Sequence, residues 1–198
     1  MEVKNMYIIV ENCFHWIGFH LINRLLEEGF TVIGKDNVDT PKKEFLSMFV
    51  DRNDSFSLNP INKKEKNHLI IEVCDTDNNN RESILKIIKP ESSHENTEHI
   101  VYAPYLIGEW MPAEKIKMNE RQKEKLQGAA SIEDFVSAIY QWVNINTYLP
   151  STFRVLSGRE KNISNALLEN FVYLRDNRSI QNEFNKVLEH YQKFQTFY

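Results

Sequence analysis

Short apolar runs separated by polar stretches set the frame of this chain. Met6 to Val10 form an apolar run bounded by polar residues, which predicts a strand buried on both faces, as in a parallel sheet. Ile17, Leu21, Ile22, Leu25 and Leu26 then fall on one helical stripe, and Gly29 stands where a left-handed residue would close that helix. Phe30 to Gly34 predicts a second strand, ended by Lys35, Asp36 and Asn37. Strand, helix and strand occupy about 30 residues, the length of a βαβ unit, and the handedness rule for such crossovers makes the two strands parallel partners in one sheet.

Further along, Pro41 is suited to open a helix running to about Val50. Asp51 to Asn67 lack periodicity and read as a surface loop. Leu69 to Val73 predict a third strand, Arg81 to Ile88 a helix stopped by Pro90, and His99 to Ala103 a fourth strand. Pro104 to Pro112 form an irregular segment carrying Tyr105, Trp110 and Met111, and the mixed charges of Ala113 to Gly128 read as a solvated helix or loop. Ser131, with Asp134 three residues on, resembles a capping box, and Phe135, Val136, Ile139, Tyr140 and Val143 give the helix behind it an apolar face. Thr152 to Leu156 predict a strand, Ile163 to Leu174 a helix, and Ile180 to Phe197 a final amphipathic helix. That last helix packs on its own domain or docks a partner or second subunit.

Composition narrows the classes. With 198 residues, 41% of them apolar, the chain can bury a core, and one domain or one domain with a small second lobe is expected. A net charge of −4 argues against nucleic acid as partner. No apolar stretch approaches the roughly 18 residues of a membrane span, and no signal-peptide pattern opens the sequence, so a soluble, cytoplasmic protein is expected. Six glycines never lie closer than five residues apart, which leaves no glycine-rich phosphate loop. Two cysteines, Cys13 and Cys74, make neither a disulfide framework nor a four-ligand zinc site. If one strand lay between theirs, their separation of ~9.5 Å would exceed disulfide reach. Thiol chemistry would need an activating neighbour, and His15 is the candidate beside Cys13. No two histidines stand four apart, so a helical metal site has no support.

Three segments resemble the extended short-chain dehydrogenase/reductase family, the NAD-dependent epimerases and dehydratases of nucleotide sugars. YIIVENCFHWIGFHLINRLLEEGFTVIGKDN is similar to its first βαβ unit, IVYAPYLIGEWMP to a later strand and Pro-x-x-x-Gly loop, and ASIEDFVSAIYQWV with TFRVLSGREKNIS to an Asp-bearing helix and the strand after it. The resemblance implies an α/β fold with a Rossmann-like, mostly parallel sheet and helices on both faces. It implies a core over residues 1–103 and a small, mainly helical C-terminal lobe over 104–198, packed as one unit.

The departures carry the functional expectation. The family's three fingerprint glycines fall at Asn12, His15 and Gly18, so only the last is kept. Those glycines serve in turn a tight turn, close approach of backbone to pyrophosphate, and close helix-to-strand packing. Packing should survive and phosphate binding should not. Asn12 can adopt a left-handed turn, whereas the His15 imidazole should project into the coenzyme's space, or could instead contact a phosphate. Asp36 matches the acid that would bind an adenine ribose, Asp75 the third-strand Asp, and His20 the family's helix histidine, expected to be structural. Asp75 and Pro104 lie 29 positions apart, where the family has a long segment bearing its catalytic Tyr-x-x-x-Lys, and no tyrosine here has lysine four residues later. That lysine would hold the cofactor ribose and lower the tyrosine's pKa. The Ser157-Gly158 dipeptide lacks the context of a nucleophile elbow. The expectation is a pseudoenzyme with no bound cofactor or metal that acts through protein–protein contact. The alternatives are a nucleotide or nucleotide-sugar binder without redox chemistry, using Asp36 and the loop with Pro104, Tyr105, Gly108 and Trp110, or a residual NAD-dependent enzyme, or relocated catalytic groups on the old fold. Homo-oligomerisation stays open.

Overall fold

A computed structural model describes residues 7–60, 68–75, 83–90, 96–121, 126, 128–144, 150–159 and 170–198. Its strands are β1 (Tyr7–Glu11), β2 (Thr31–Lys35), β3 (Phe56–Leu58), β4 (His68–Asp75), β5 (Ser83–Pro90), β6 (Asn96–Tyr102), β7 (Leu106–Ile107), β8 (Ala130–Ser131), β9 (Thr152–Leu156) and β10 (Phe171–Tyr173). Its helices are α1 (Trp16–Glu27), α2 (Pro41–Val50), α3 (Ala113–Arg121), α4 (Ile132–Asn144) and α5 (Ile180–Lys193), with a 3-10 turn over Gln195–Phe197. Eight strands form one sheet in the order β10-β9-β6-β5-β4-β1-β2-β3, and β7 pairs with β8 apart from it. All pairs in the large sheet are parallel except the two made by β5. The fold is α/β with a mostly parallel sheet flanked by helices, consistent with a Rossmann-like arrangement.

The first βαβ unit forms as its pattern requires. β1 and β2 run parallel with Ile8 beside Val32, α1 buries Ile17, Leu21, Ile22 and Leu25, and Gly29 takes φ 83° just beyond the helix end, where a residue with a Cβ would be strained. Pro41 opens α2 behind Thr40, whose hydroxyl accepts from Lys43 N at 3.2 Å.

Several expectations are corrected. Residues 83–88 are strand β5, not a helix. Ile84, Leu85, Lys86, Ile87 and Ile88 alternate half-buried and buried, and a short isoleucine-rich run can satisfy either period until a neighbouring strand decides. This hairpin strand occupies the gap between β4 and β6, where the resemblance implies a long segment. The loop expected over Asp51 to Asn67 contains β3, which pairs with β2 and lays Phe56 over Gly34, so that a Cβ there would stand 2.7 Å from the ring. Of the helix expected over Ile163 to Leu174, residues 171–173 are strand β10, and 163–169 lie outside the described residues. The final helix ends at Lys193 and tightens into the 3-10 turn. Ser131 does cap α4, accepting from Glu133 N at 3.3 Å, but Asp134 turns away to accept from Asn177 N at 3.2 Å.

One continuous buried layer runs across the sheet. Register aligns Val10 with Ile71, Ile71 with Ile87, Leu85 with Val101 and Val101 with Phe153, and all are buried. α1 and α4 pack against each other over this core. No helix among the described residues is long and apolar enough to cross a membrane.

Candidate functional site

Ligands of open α/β sheets lie at the carboxyl ends of the parallel strands, so the turn from β1 into α1 is the first place to look. Asn12 takes φ 55° there, the left-handed conformation that its short amide side chain tolerates, and its Nδ2 donates to Val73 O on β4 at 3.1 Å. The Asn12 carbonyl accepts from His15 N at 3.0 Å and closes the turn. A Cβ on Gly18 would stand 2.7 Å from Asn12 O and 2.9 Å from Cys13 O. Close helix-to-strand packing is therefore retained by the one fingerprint glycine that remains.

Two side chains accept from donors at this turn. His15 is the residue before α1, and its Nδ1 accepts from Ile17 N at 3.3 Å, so the ring folds back on the helix N-terminus as a cap. Phe14 N donates to Asp36 Oδ2 at 2.8 Å. The other Asp36 oxygen accepts from Asn37 N and from Lys43 Nζ, both at 2.7 Å. Asn59 brackets the same residue, accepting from Asp36 N at 3.3 Å and donating to Asp36 O at 2.7 Å. With 5% of its side chain exposed, the Asp36 carboxylate is a structural strut joining turn, β2 and α2. Asp75 closes β4, the strand beside β1. The expected site residues Asn12, His15, Gly18, Asp36 and Asp75 thus gather at one end of the β4-β1-β2 strands. β1 and β4 are direct neighbours, so no strand intervenes between those of Cys13 and Cys74, and the two form no disulfide. Burial, with the Asp36 charge nearby, pushes the Cys13 thiol up to about 12, which keeps it protonated and unreactive near neutral pH.

The loop over 104–112 is filled from another direction. Pro104 and Tyr105 are half-buried, the Tyr105 carbonyl accepts from Ala130 N at 2.9 Å, and the Ile132 side chain sits where Gly108 would carry a Cβ. Trp110 is 3% exposed at φ 63°, an uncommon conformation for a bulky residue. Its N–H donates to Tyr198 Oη and its carbonyl accepts from Lys42 Nζ, each at 2.7 Å. Its ring stacks on Tyr198 with centroids 5.2 Å apart and meets His190 edge-on at 4.5 Å. Burial lowers the Lys42 ammonium to about 8, and burial raises the Tyr198 phenol. In the ligand loop read from Pro104, Tyr105, Gly108 and Trp110, the space at Gly108 is taken by Ile132 of α4, and Trp110 is covered by His190 of α5, Phe194 and Tyr198. Lys42, His190 and Tyr198 carry no motif, and the aromatic spacing of Phe194, Phe197 and Tyr198 is their one trace in sequence.

A groove of about 360 Å³ lies on the flank of α1, away from the strand ends, with His20, Arg24, Glu109 and Glu133 among its walls. His20 Nδ1 meets Glu133 Oε1 at 3.0 Å and its Nε2 donates to Glu109 O at 3.0 Å. These contacts tie α1 to α4 and to the loop before α3. The same contact holds the Glu133 carboxyl below its ordinary range. Ser157 is buried and donates to Asp176 at 2.8 Å. Among the described residues, no group of three or more His, Cys, Asp or Glu is placed to hold a metal ion.

No family model and no curated protein matches the chain. Among solved structures, yeast methylglyoxal/isovaleraldehyde reductase Gre2, complexed with NADPH, is similar at 29% identity, with a TM-score of 0.24, over 27% of this chain. The match spans 16% of the length of that reductase.

Proposed function

We propose that the chain is a non-catalytic relative of the dinucleotide-dependent epimerases and reductases that works by binding another protein. The observation that carries the reading is the engagement of two backbone donors at the β1–α1 corner by the side chains of His15 and Asp36. A pyrophosphate at this corner would need the backbone N–H groups at the helix N-terminus, yet Ile17 N is capped by His15 and Phe14 N is held by Asp36. Displacing those partners would uncap the helix and take from the buried Asp36 carboxylate the hydrogen bond on Oδ2, leaving it only the partners of its other oxygen. The residues present therefore fit a dinucleotide poorly. The missing Tyr-x-x-x-Lys pair supports the same reading, as does the hairpin strand β5 in place of the segment expected to bear it. For contact with a protein, α2 offers Met48 and Phe49, 58% and 51% exposed.

Isothermal calorimetry of the purified chain with NADH and NADPH tests the reading. No saturable heat at submillimolar coenzyme is expected, and micromolar affinity for either would overturn it. A thermal-shift panel of nucleotides and nucleotide sugars tests the reading that keeps a small ligand without redox chemistry, and a flat response is expected because the loop over 104–112 is filled.

A further inference from the structure

The contact between α5 and the loop before α3 depends on where one proton sits. Tyr198 Oη accepts from Trp110 N at 2.7 Å and lies 2.7 Å from His190 Nδ1. With the neutral ring's hydrogen on Nε2, the nitrogen that faces a carboxylate, Nδ1 is the acceptor and the hydroxyl directs its single hydrogen there. The other ring nitrogen, Nε2, faces Glu109 Oε2 at 3.5 Å. We propose that α5 and the following 3-10 turn form an acid-released latch over Trp110, with His190 as the proton sensor and the Tyr198 hydroxyl as the catch.

Protonating Nδ1 places a second hydrogen between the two atoms. The hydroxyl must then accept from both Trp110 and His190 and leave its own hydrogen in an aromatic wall, or the turn must move. The surroundings oppose the added charge. Burial lowers the proton affinity of His190 first, and the Lys42 ammonium on α2, Lys193 on α5 itself and His20 on α1 act in the same direction. Glu109 favours the charge but is 47% exposed, so water screens it, and Glu133 on α4 is committed to His20. Glu114 on α3 acts on Lys42. His20 differs from His190 in kind, since both its nitrogens face acceptor oxygens.

For a base whose proton affinity is lower when docked, docking is complete above the ordinary histidine value near 6.5 and weakens as pH falls below it. Release uncovers the rings around Phe45, which stacks on Phe197 at 4.2 Å and meets Phe49 at 5.0 Å. The uncovered surface is continuous with the exposed Met48 and Phe49.

Hydrogen exchange over residues 184–198 of the whole chain at pH 7.5 and 5.5, corrected for intrinsic rates, tests the latch. Wild-type protection should fall several-fold at the lower pH. His190→Gln, whose amide oxygen can accept from Tyr198 without titrating, should remove most of that difference. Tyr198→Phe should be loosened at both pH values, and His20→Gln should keep the wild-type acid response. A wild type equally protected at both pH values overturns the proposal, as does a His190→Gln variant that responds to acid like the wild type. Should His190→Gln fold poorly, proton NMR of the His190 ring in the wild type decides. A titration midpoint below that of free histidine, coincident with loss of protection, is the expected outcome, and a midpoint above it overturns the latch.

Discussion

Two places where a ligand would be sought are both engaged by the protein's own groups, by different means. The β1–α1 corner is closed by local polar bonds, since His15 and Asp36 reach across a few ångströms of neighbouring backbone. The loop over 104–112 is closed by aromatic residues from 80 and more positions away, of which Tyr198 makes both a hydrogen bond and a ring stack with Trp110. The corner is held by charge and geometry and the loop by apolar area. Burial of a large aromatic ring contributes more than a single hydrogen bond that water could replace. Perturbing the loop should therefore cost stability, whereas perturbing the corner's polar partners should mainly alter which groups its backbone offers.

Trp110→Ala should have the largest effect. The ring is 3% exposed and touches Phe45, His190, Phe194 and Tyr198. Truncating a buried aromatic of this size costs about 3–5 kcal/mol, measurable by urea denaturation. The alanine should keep the backbone bonds to Lys42 and Tyr198 if the φ of 63° persists, but that conformation is itself unfavourable with a Cβ. A loss below about 1 kcal/mol would show that the aromatic closure is not what holds the loop. Gly18→Ala comes next at about 1–3 kcal/mol, the usual range for overpacking. Its new methyl would meet two backbone oxygens inside 3.0 Å, and neither can swing aside as a side-chain tip could. Equal stability of Gly18→Ala and wild type in the same denaturation series would remove packing as the reason for that glycine.

The legibility of the two regions follows the same division. The corner's turn, the close-packing Gly18 and the Gly29 stop all sit within one βαβ unit, so they are visible as local pattern. The left-handed Asn12 could be anticipated because Asn is one of the few residues that tolerates positive φ. The internal pairing of Asp36 was less visible, because the same acid would serve a ribose or a lysine, and the choice depends on Lys43 arriving from α2. The loop's closure was not legible at all. It depends on a tertiary meeting of Trp110 with His190 and Tyr198, and periodicity says only that α5 has an apolar side. β5 is hidden for a related reason, since the run Ile84 to Ile88 within it becomes strand through pairing with β4 and β6.

Lys42 links the two modes of closure, because it is a charge held against the aromatic cluster. Its ammonium lies 5.2 Å from the Tyr198 ring centre and donates to Trp110 O, yet burial lowers it to about 8. The unfolded chain, with an ordinary lysine near 10.4, binds more protons than the folded chain between these values. Lys42 should therefore add about 1–2 kcal/mol of stability as pH rises from 8 towards 10, once the water-accessible part of the side chain is discounted. The buried Cys13 thiol acts in the opposite direction over the same range, because it keeps its proton in the folded chain, so the Lys42 contribution is the difference between wild type and Lys42→Met. Urea midpoints at pH 7, 8, 9 and 10 should show the wild type gaining on Lys42→Met as pH rises. A difference that stays constant or moves the other way would contradict the reading of Lys42 as a cation held at a cost by the cluster.

His15→Ala should be the smallest change in stability and the most telling about the corner. An N-cap side chain contributes about 0.5–2 kcal/mol, and the 3.3 Å separation of Nδ1 from Ile17 N puts this cap at the weak end, about 0.5 kcal/mol. The substitution frees Ile17 N–H without touching Phe14 N, which Asp36 continues to hold. If the corner is closed by these two bonds jointly, His15→Ala should still give no saturable heat with NADH, and combining it with Asp36→Ala should not restore binding, because the acid that would hold the ribose is then gone. Saturable coenzyme binding by His15→Ala alone would locate the whole obstruction in one imidazole ring and reduce the Asp36 strut to a bystander.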